Sequence, residues 1–66
     1  MNAQQPAARF ATGDRVAFTF PYSAIRTGAV IRRWWTGGWC YAVAQDSIYG
    51  EWILSESTLQ AIGGEA

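Results

Sequence analysis

The chain reads as a small all-β domain of five short strands, and three observations predict it. Apolar residues recur with period two rather than 3.6. In RVAFTF (15–20), Val16, Phe18 and Phe20 share one side, opposite Ala17 and Thr19. Turn sequences interrupt such runs at short intervals, with TGD at 12–14, TGG at 36–38 and DSIYG at 46–50. Finally, 66 residues allow one domain, and no window carries convincing helical periodicity.

The elements follow in order. MNAQQPAARF (1–10) is polar and Ala-rich, with Pro6 and no periodicity, which predicts a disordered arm from which only Phe10 tucks against the domain. RVAFTF is the first strand. Pro21 and Gly28 break the pattern and make PYSAIRTG (21–28) an excursion loop. AVIRRWW (29–35) is the second strand, its faces reading Val30, Arg32, Trp34 and Ile31, Arg33, Trp35. Adjacent tryptophans on a strand face opposite ways, and a single β-bulge exchanges them, so either Trp34 or Trp35 faces inward. Gly37 and Gly38 supply a tight turn. WCYAVAQ (39–45), EWIL (51–54) and LQAI (59–62) complete the strands, with SEST (55–58) a single helical turn before the last. Five strands, a long first loop and a 3-10 turn before the last strand predict an SH3-like barrel over 11–62 and a flexible tail over 63–66; closure would remove exposed sheet edges. Its predicted inward set is Val16, Phe18 or Phe20, Val30, Tyr41, Val43, Ile53, Leu59 and Ile62.

So short a chain has a marginal core, and the usual reinforcements are absent from the sequence. One cysteine, Cys40, precludes an intrachain disulfide, and without histidine no zinc-ligand spacing exists. Self-association and a large aromatic payload remain; half the residues are hydrophobic and 15% are aromatic. Net charge is zero, which argues against strong binding to nucleic acid or to an anionic membrane. The charges are segregated along the chain. Residues 1–33 hold five arginines against Asp14, net +4, and residues 34–66 hold four acids and no base, net −4. Pairing between neighbouring strands accounts for this simply. No run approaches the roughly 20 apolar residues of a membrane span. With no apolar signal-peptide core at the start, the expected location is the cytoplasm.

Without histidine or lysine, no imidazole base, Schiff-base lysine or Cys–His pair is available. Cys40 lies between Trp39 and Tyr41 as a half-buried strand thiol, and Asp46, Glu51 and Glu56 read as solvated rim carboxylates. WTGGW lacks the spacing of a phosphate loop. No catalytic residue and no metal site is therefore expected.

The order of short motifs resembles a known family. GDRV (13–16), GAVIRRWW (28–35), YAV (41–43) and WILSESTLQAI (52–62) are similar to the plasmid-borne, trimethoprim-insensitive type II dihydrofolate reductases, across about residues 12–62. The resemblance implies an SH3-like barrel, four copies around a central pore, and NADPH and folate side by side within it. It also implies a ligand-binding role for Phe18, Trp52, Ile53 and Leu54. These are the positions where that family carries a lysine and the Gln-Ile-Tyr of its Val-Gln-Ile-Tyr segment; Glu51 stands at the valine. Only the isoleucine is retained. An indole at Trp52 cannot both donate and accept as an amide does, and Leu54 and Phe18 offer neither hydroxyl nor charge. The expectation is shared fold without shared chemistry, and no cofactor.

The aromatic residues suggest binding instead. Tyr22, Ile31, Arg33, Trp34, Trp35, Trp39 and Tyr49 form the predicted interface or aromatic surface, with Trp52 beside them. Such surfaces take a second copy, a proline-rich peptide or stacked single-stranded bases. The expected function is a self-associating binding module, dimeric or tetrameric, with a protein or peptide as a further possible partner. The alternatives are a weakly active, NADPH-dependent type II reductase and a single-stranded nucleic-acid-binding barrel.

Overall fold

The computed structural model describes residues 6–21, 23–47 and 49–62. Five antiparallel strands form one sheet: β1 (Arg15–Phe18), β2 (Arg26–Trp35), β3 (Trp39–Gln45), β4 (Glu51–Ser55) and β5 (Leu59–Ala61). A 3-10 turn, Glu56–Thr58, precedes β5. The strand order is β4-β3-β2-β1-β5. The edge strands β4 and β5 are thus joined by three residues. Laid flat, four spacings of about 4.8 Å would hold those edges about 19 Å apart. A three-residue 3-10 turn, rising about 2 Å per residue, cannot span that gap, so the sheet is strongly curled. No β4–β5 ladder seals it among the described residues.

Two boundaries differ from those read in the sequence, and strand pairing explains both. β2 begins at Arg26 because Arg26, Thr27 and Gly28 pair with Phe18, Ala17 and Val16, so the first loop shrinks to 19–25. β1 ends at Phe18, and Phe20 leaves the strand to pack edge-on against Phe18, ring centroids 5.8 Å apart.

A β-bulge lies at Ile31: Val30 faces Val43, while Arg32, not Ile31, faces Ala42. The extra residue moves the pattern by one position. Val30, Arg33 and Trp35 therefore share the side of Val43, Tyr41 and Trp39, whereas Ala29, Arg32 and Trp34 share the outer side with Ala44, Ala42 and Cys40. Trp34 faces outward, and Trp35 points to the inner side at its open end. The β2–β3 turn closes through Thr36 N–H to Gly38 O (3.0 Å), with Gly37 at φ +84°.

The core comprises Phe10, Val16, Phe18, Val30, Tyr41, Val43, Leu54 and Leu59, with Ala8, Phe20 and Trp39 packed against it. Three expectations are corrected here. Ile53 is 54% exposed and Leu54 buried, because Leu54 pairs with inward-facing Tyr41 and Ile53 with outward-facing Ala42. Ile62, three residues beyond buried Leu59, falls on the outer parity and is 37% exposed. The arm predicted over 1–10 is in part docked: Pro6–Arg9, read as disordered, run along the domain toward Phe10, which tucks into the core. Residues 1–5 and 63–66, the remainder of the predicted arm and the tail, lie outside the described residues.

Candidate functional site

The outer side of β2–β3–β4 is built around small residues. Cys40, Ala42 and Ala44 form the whole outer row of β3. On one flank stand Arg32 and half-buried Trp34, with Ile31 at the bulge; on the other stand Glu51 and Ile53. Arg32 faces Ala42 and Glu51 faces Ala44, so their ion pair (Nη2–Oε2 2.9 Å) crosses β3. That bridge, together with Ile53, helps to explain why Ala42 is fully buried although it faces outward. Arg32 also lies over the Trp34 ring, 5.8 Å from its centroid. Ile31 (41%) and Ile53 (54%) remain exposed beside this shallow floor. Two exposed aliphatic side chains flanking an ion pair that covers small residues suit a protein surface more than a small polar ligand.

A second cluster sits where the first loop meets β4. The Trp52 ring packs against Phe20 at 4.9 Å, and the Arg26 guanidinium stands 5.7 and 5.8 Å from the two ring centroids. Gln45 Oε1 accepts from Trp52 Nε1 (2.7 Å) and from Arg26 Nη1 (3.3 Å), while Ser23 Oγ accepts from Arg26 Nε (3.3 Å). Internal partners thus engage the Trp52 indole N–H, the Arg26 guanidinium and Gln45 Oε1. The adjacent pocket, about 120 Å³ and lined by Tyr49, Gly50, Glu51 and Trp52, is well below the roughly 300–1,000 Å³ of small-molecule sites.

The third cluster lies at the open end of the inner side. Trp35 and Trp39 meet edge-to-face at 5.6 Å, and the Arg33 guanidinium stands 5.7 Å from the Trp39 centroid. The Pro6–Phe10 segment covers this end. Trp39 Nε1 donates to Pro6 O (2.7 Å) and Arg33 Nη1 to Phe10 O (2.6 Å). Glu56 Oε2 accepts from Arg9 N (2.9 Å) and from the Tyr41 hydroxyl (2.5 Å), which itself accepts from Phe10 N (3.4 Å).

The residues singled out in the sequence thus separate. Phe18 (1% exposed) and Leu54 (8%) are core residues and present nothing to a ligand. Trp52 packs on Phe20 and Ile53 points outward, so the four positions implied by the resemblance do not converge within one chain. Ile31 and Trp34 belong to the outer surface, and Arg33, Trp35 and Trp39 to the end bearing the arm. Tyr49 is fully exposed on the β3–β4 turn, and Tyr22 lies outside the described residues. As site residues, Arg26, Gln45 and Pro6–Arg9 escaped the sequence reading, which took Phe10 and Phe20 only as packing residues and Glu56 only as a solvated rim carboxylate. Of the arm, only the lone aromatic Phe10 carried a signal. Cys40 is half-buried, with Thr36 Oγ1 3.7 Å from its Sγ. Among the described residues no three His, Cys, Asp or Glu side chains gather as a metal site, and no helix is long and apolar enough to cross a membrane.

Two carboxylates titrate abnormally. Glu56 is held below the usual carboxylate range by the Arg9 amide and then by the Tyr41 hydroxyl. Asp46 is held far below it by Arg15, which grips both its oxygens, and by Thr27 Oγ1 (2.7 Å). Both are better stabilised as anions in the folded chain than in the unfolded one. Their contribution is complete above the unfolded carboxylate pKa of about 4 and disappears as pH falls through the lower folded values. Thermal melts should therefore show a constant melting temperature near neutrality and a decline below about pH 4, and Glu56→Gln should flatten part of that decline. An unchanged acid limb in that variant would contradict the role given to Glu56.

Comparison with protein-family models, curated proteins and solved structures gives no match, so the function rests on these surfaces.

Proposed function

We propose that this chain is an SH3-like barrel that self-associates and serves as a binding module, a non-catalytic relative of the type II dihydrofolate reductases. The observation that carries the reading is the outer side of β2–β3–β4, where Ile31 and Ile53 stand exposed beside the Cys40–Ala42–Ala44 floor. A second copy laid on this floor would bury both isoleucines and supply the apolar area that a 66-residue core lacks. Two of the five arginines already pair with acids of the other half of the chain, Arg15 with Asp46 and Arg32 with Glu51. With a net charge of zero, nothing favours a polyanion over a protein partner. The reading takes the protein to be cytoplasmic, where an unpaired thiol such as Cys40 stays reduced.

The non-catalytic part rests on the four positions carried over from the resemblance. Two are buried, Ile53 has no polar atom, and the Trp52 indole N–H is engaged by Gln45. None offers the donor and acceptor pair that holds a pterin ring. NADPH oxidation with dihydrofolate should stay at background with trimethoprim present, and turnover would refute this half of the proposal. For the other half, Ile53→Glu places a charge on the shared floor. The lost burial alone is about 1.5–3 kcal/mol, so association should weaken by roughly ten- to a hundredfold. Size-exclusion chromatography should then report a smaller particle with an unchanged circular dichroism spectrum. Identical elution of variant and wild type would refute the assignment of this surface.

A further inference from the structure

We infer that the end of the inner side between Trp39 and Glu56 is a binding site for an extended peptide, read through the peptide backbone, and that Pro6–Phe10 is its built-in occupant. Four side chains of the body meet four backbone atoms of this segment: Trp39 on the Pro6 carbonyl, Glu56 on the Arg9 amide, Tyr41 on the Phe10 amide and Arg33 on the Phe10 carbonyl. No strand ladder ties the segment to the sheet. Pro6, Ala7 and Arg9 leave their side chains in solvent, Ala8 is half-buried, and Phe10 alone is buried, edge-on to Tyr41 at 5.5 Å. Backbone hydrogen bonds with one enclosed aromatic anchor are the manner in which binding domains take extended peptides.

The same contacts define the ligand class. The Phe10 pocket calls for an aromatic residue. Four residues earlier the chain must present a free carbonyl to the Trp39 indole, and a proline there favours the extended form. The residue before the aromatic gives its amide to the Glu56 carboxylate, and the Arg9 guanidinium lies over the Phe10 ring, 4.9 Å from its centroid; a basic residue suits that place. The ligand is therefore an extended Pro-x-x-basic-aromatic peptide. Tethering gives the resident segment an effective concentration on the order of mM, so it screens the site against weak competitors. The site is separate from the outer floor of β2–β3–β4, and its test does not depend on self-association.

The test uses the full chain with Phe10→Ala, which removes the anchor from the resident segment and leaves all four body side chains in place. The probe is the peptide acetyl-Pro-Ala-Ala-Arg-Phe-amide, followed through the Trp39 indole N–H resonance. Saturable movement of that resonance toward its wild-type position is expected. The peptide ending in alanine should bind at least about tenfold more weakly, as loss of a buried aromatic requires. Adding Trp39→Phe, which keeps a ring but removes the donor and with it the resonance, should weaken binding about two- to tenfold when the peptide is titrated calorimetrically into both variants. A folded variant whose indole resonance is unmoved at about 5 mM peptide, above the tethered concentration, overturns the inference. Equal binding of the two peptides overturns it as well. Should Phe10→Ala not fold alone, the peptide is added during refolding: recovery of structure with the phenylalanine peptide only supports the site, and no recovery overturns it.

Discussion

Tyr41→Ala should unfold this protein at ordinary temperature. Tyr41 is fully buried at the centre of β3, against Phe10 and opposite Leu54. Truncating a buried aromatic costs about 3–5 kcal/mol, comparable to the whole stability of a domain this small, about 5 kcal/mol. The hydroxyl adds a polar share. It donates to Glu56 and accepts from Phe10 N, so Tyr41→Phe leaves a buried amide without a partner and should cost about 1–2 kcal/mol. Urea titrations followed by tryptophan fluorescence separate the two variants. A Tyr41→Phe midpoint equal to that of the wild type would show that the hydroxyl does not join the arm to the 3-10 turn. Burial and the bond to Glu56 also raise the pKa of Tyr41. Its neutral form is thus favoured in the folded chain, and stability falls as pH rises past the unfolded value of about 10.

Gly28→Ala should also be damaging, by adding a single methyl group. Gly28 is buried where β2 is flanked by both β1 and β3, opposite Val16 and Gln45. A Cβ built there falls on the Ala44 carbonyl oxygen, with Ala44 C and Gln45 Cα at 3.0 Å. Those are backbone atoms, so no rotamer change relieves the overlap and β2 and β3 must separate. A loss of about 1–3 kcal/mol is expected, as for other overpacked sites. Gly38→Ala is the control, because a Cβ there meets nothing within 4 Å, and it should change stability by no more than about 0.5 kcal/mol. Equal urea midpoints for the two variants would contradict the close approach of β2 and β3.

The strands were legible because their side chains alternate and their turns carry glycine. Both signals are local, and a chain met without relatives shows local signals best. What alternation does not carry is absolute phase. Ile53 and Leu54 are equally apolar, and only pairing with Tyr41 decides that Leu54 goes inward. The Trp34–Trp35 pair was ambiguous for the same reason, and the bulge at Ile31 resolves it by moving Trp35 to the side of Trp39. The arm-covered end was hidden more deeply. Arg9 and Glu56 are 47 residues apart, Pro6 and Trp39 33 apart, and the contacts use backbone atoms that every residue possesses. A rim glutamate reads as solvated until the segment that it binds is seen beside it.

Self-association through the outer floor is the central claim, and sedimentation equilibrium tests it most directly. The full chain is examined from about 1 μM to 1 mM, the range in which weak and moderate dissociation constants lie, with Ile53→Glu run beside it. The account predicts a wild-type mass rising to a multiple of 7.3 kDa with increasing concentration, and a variant that remains near 7.3 kDa. A wild-type chain that stays at 7.3 kDa throughout, indistinguishable from the variant, would contradict it.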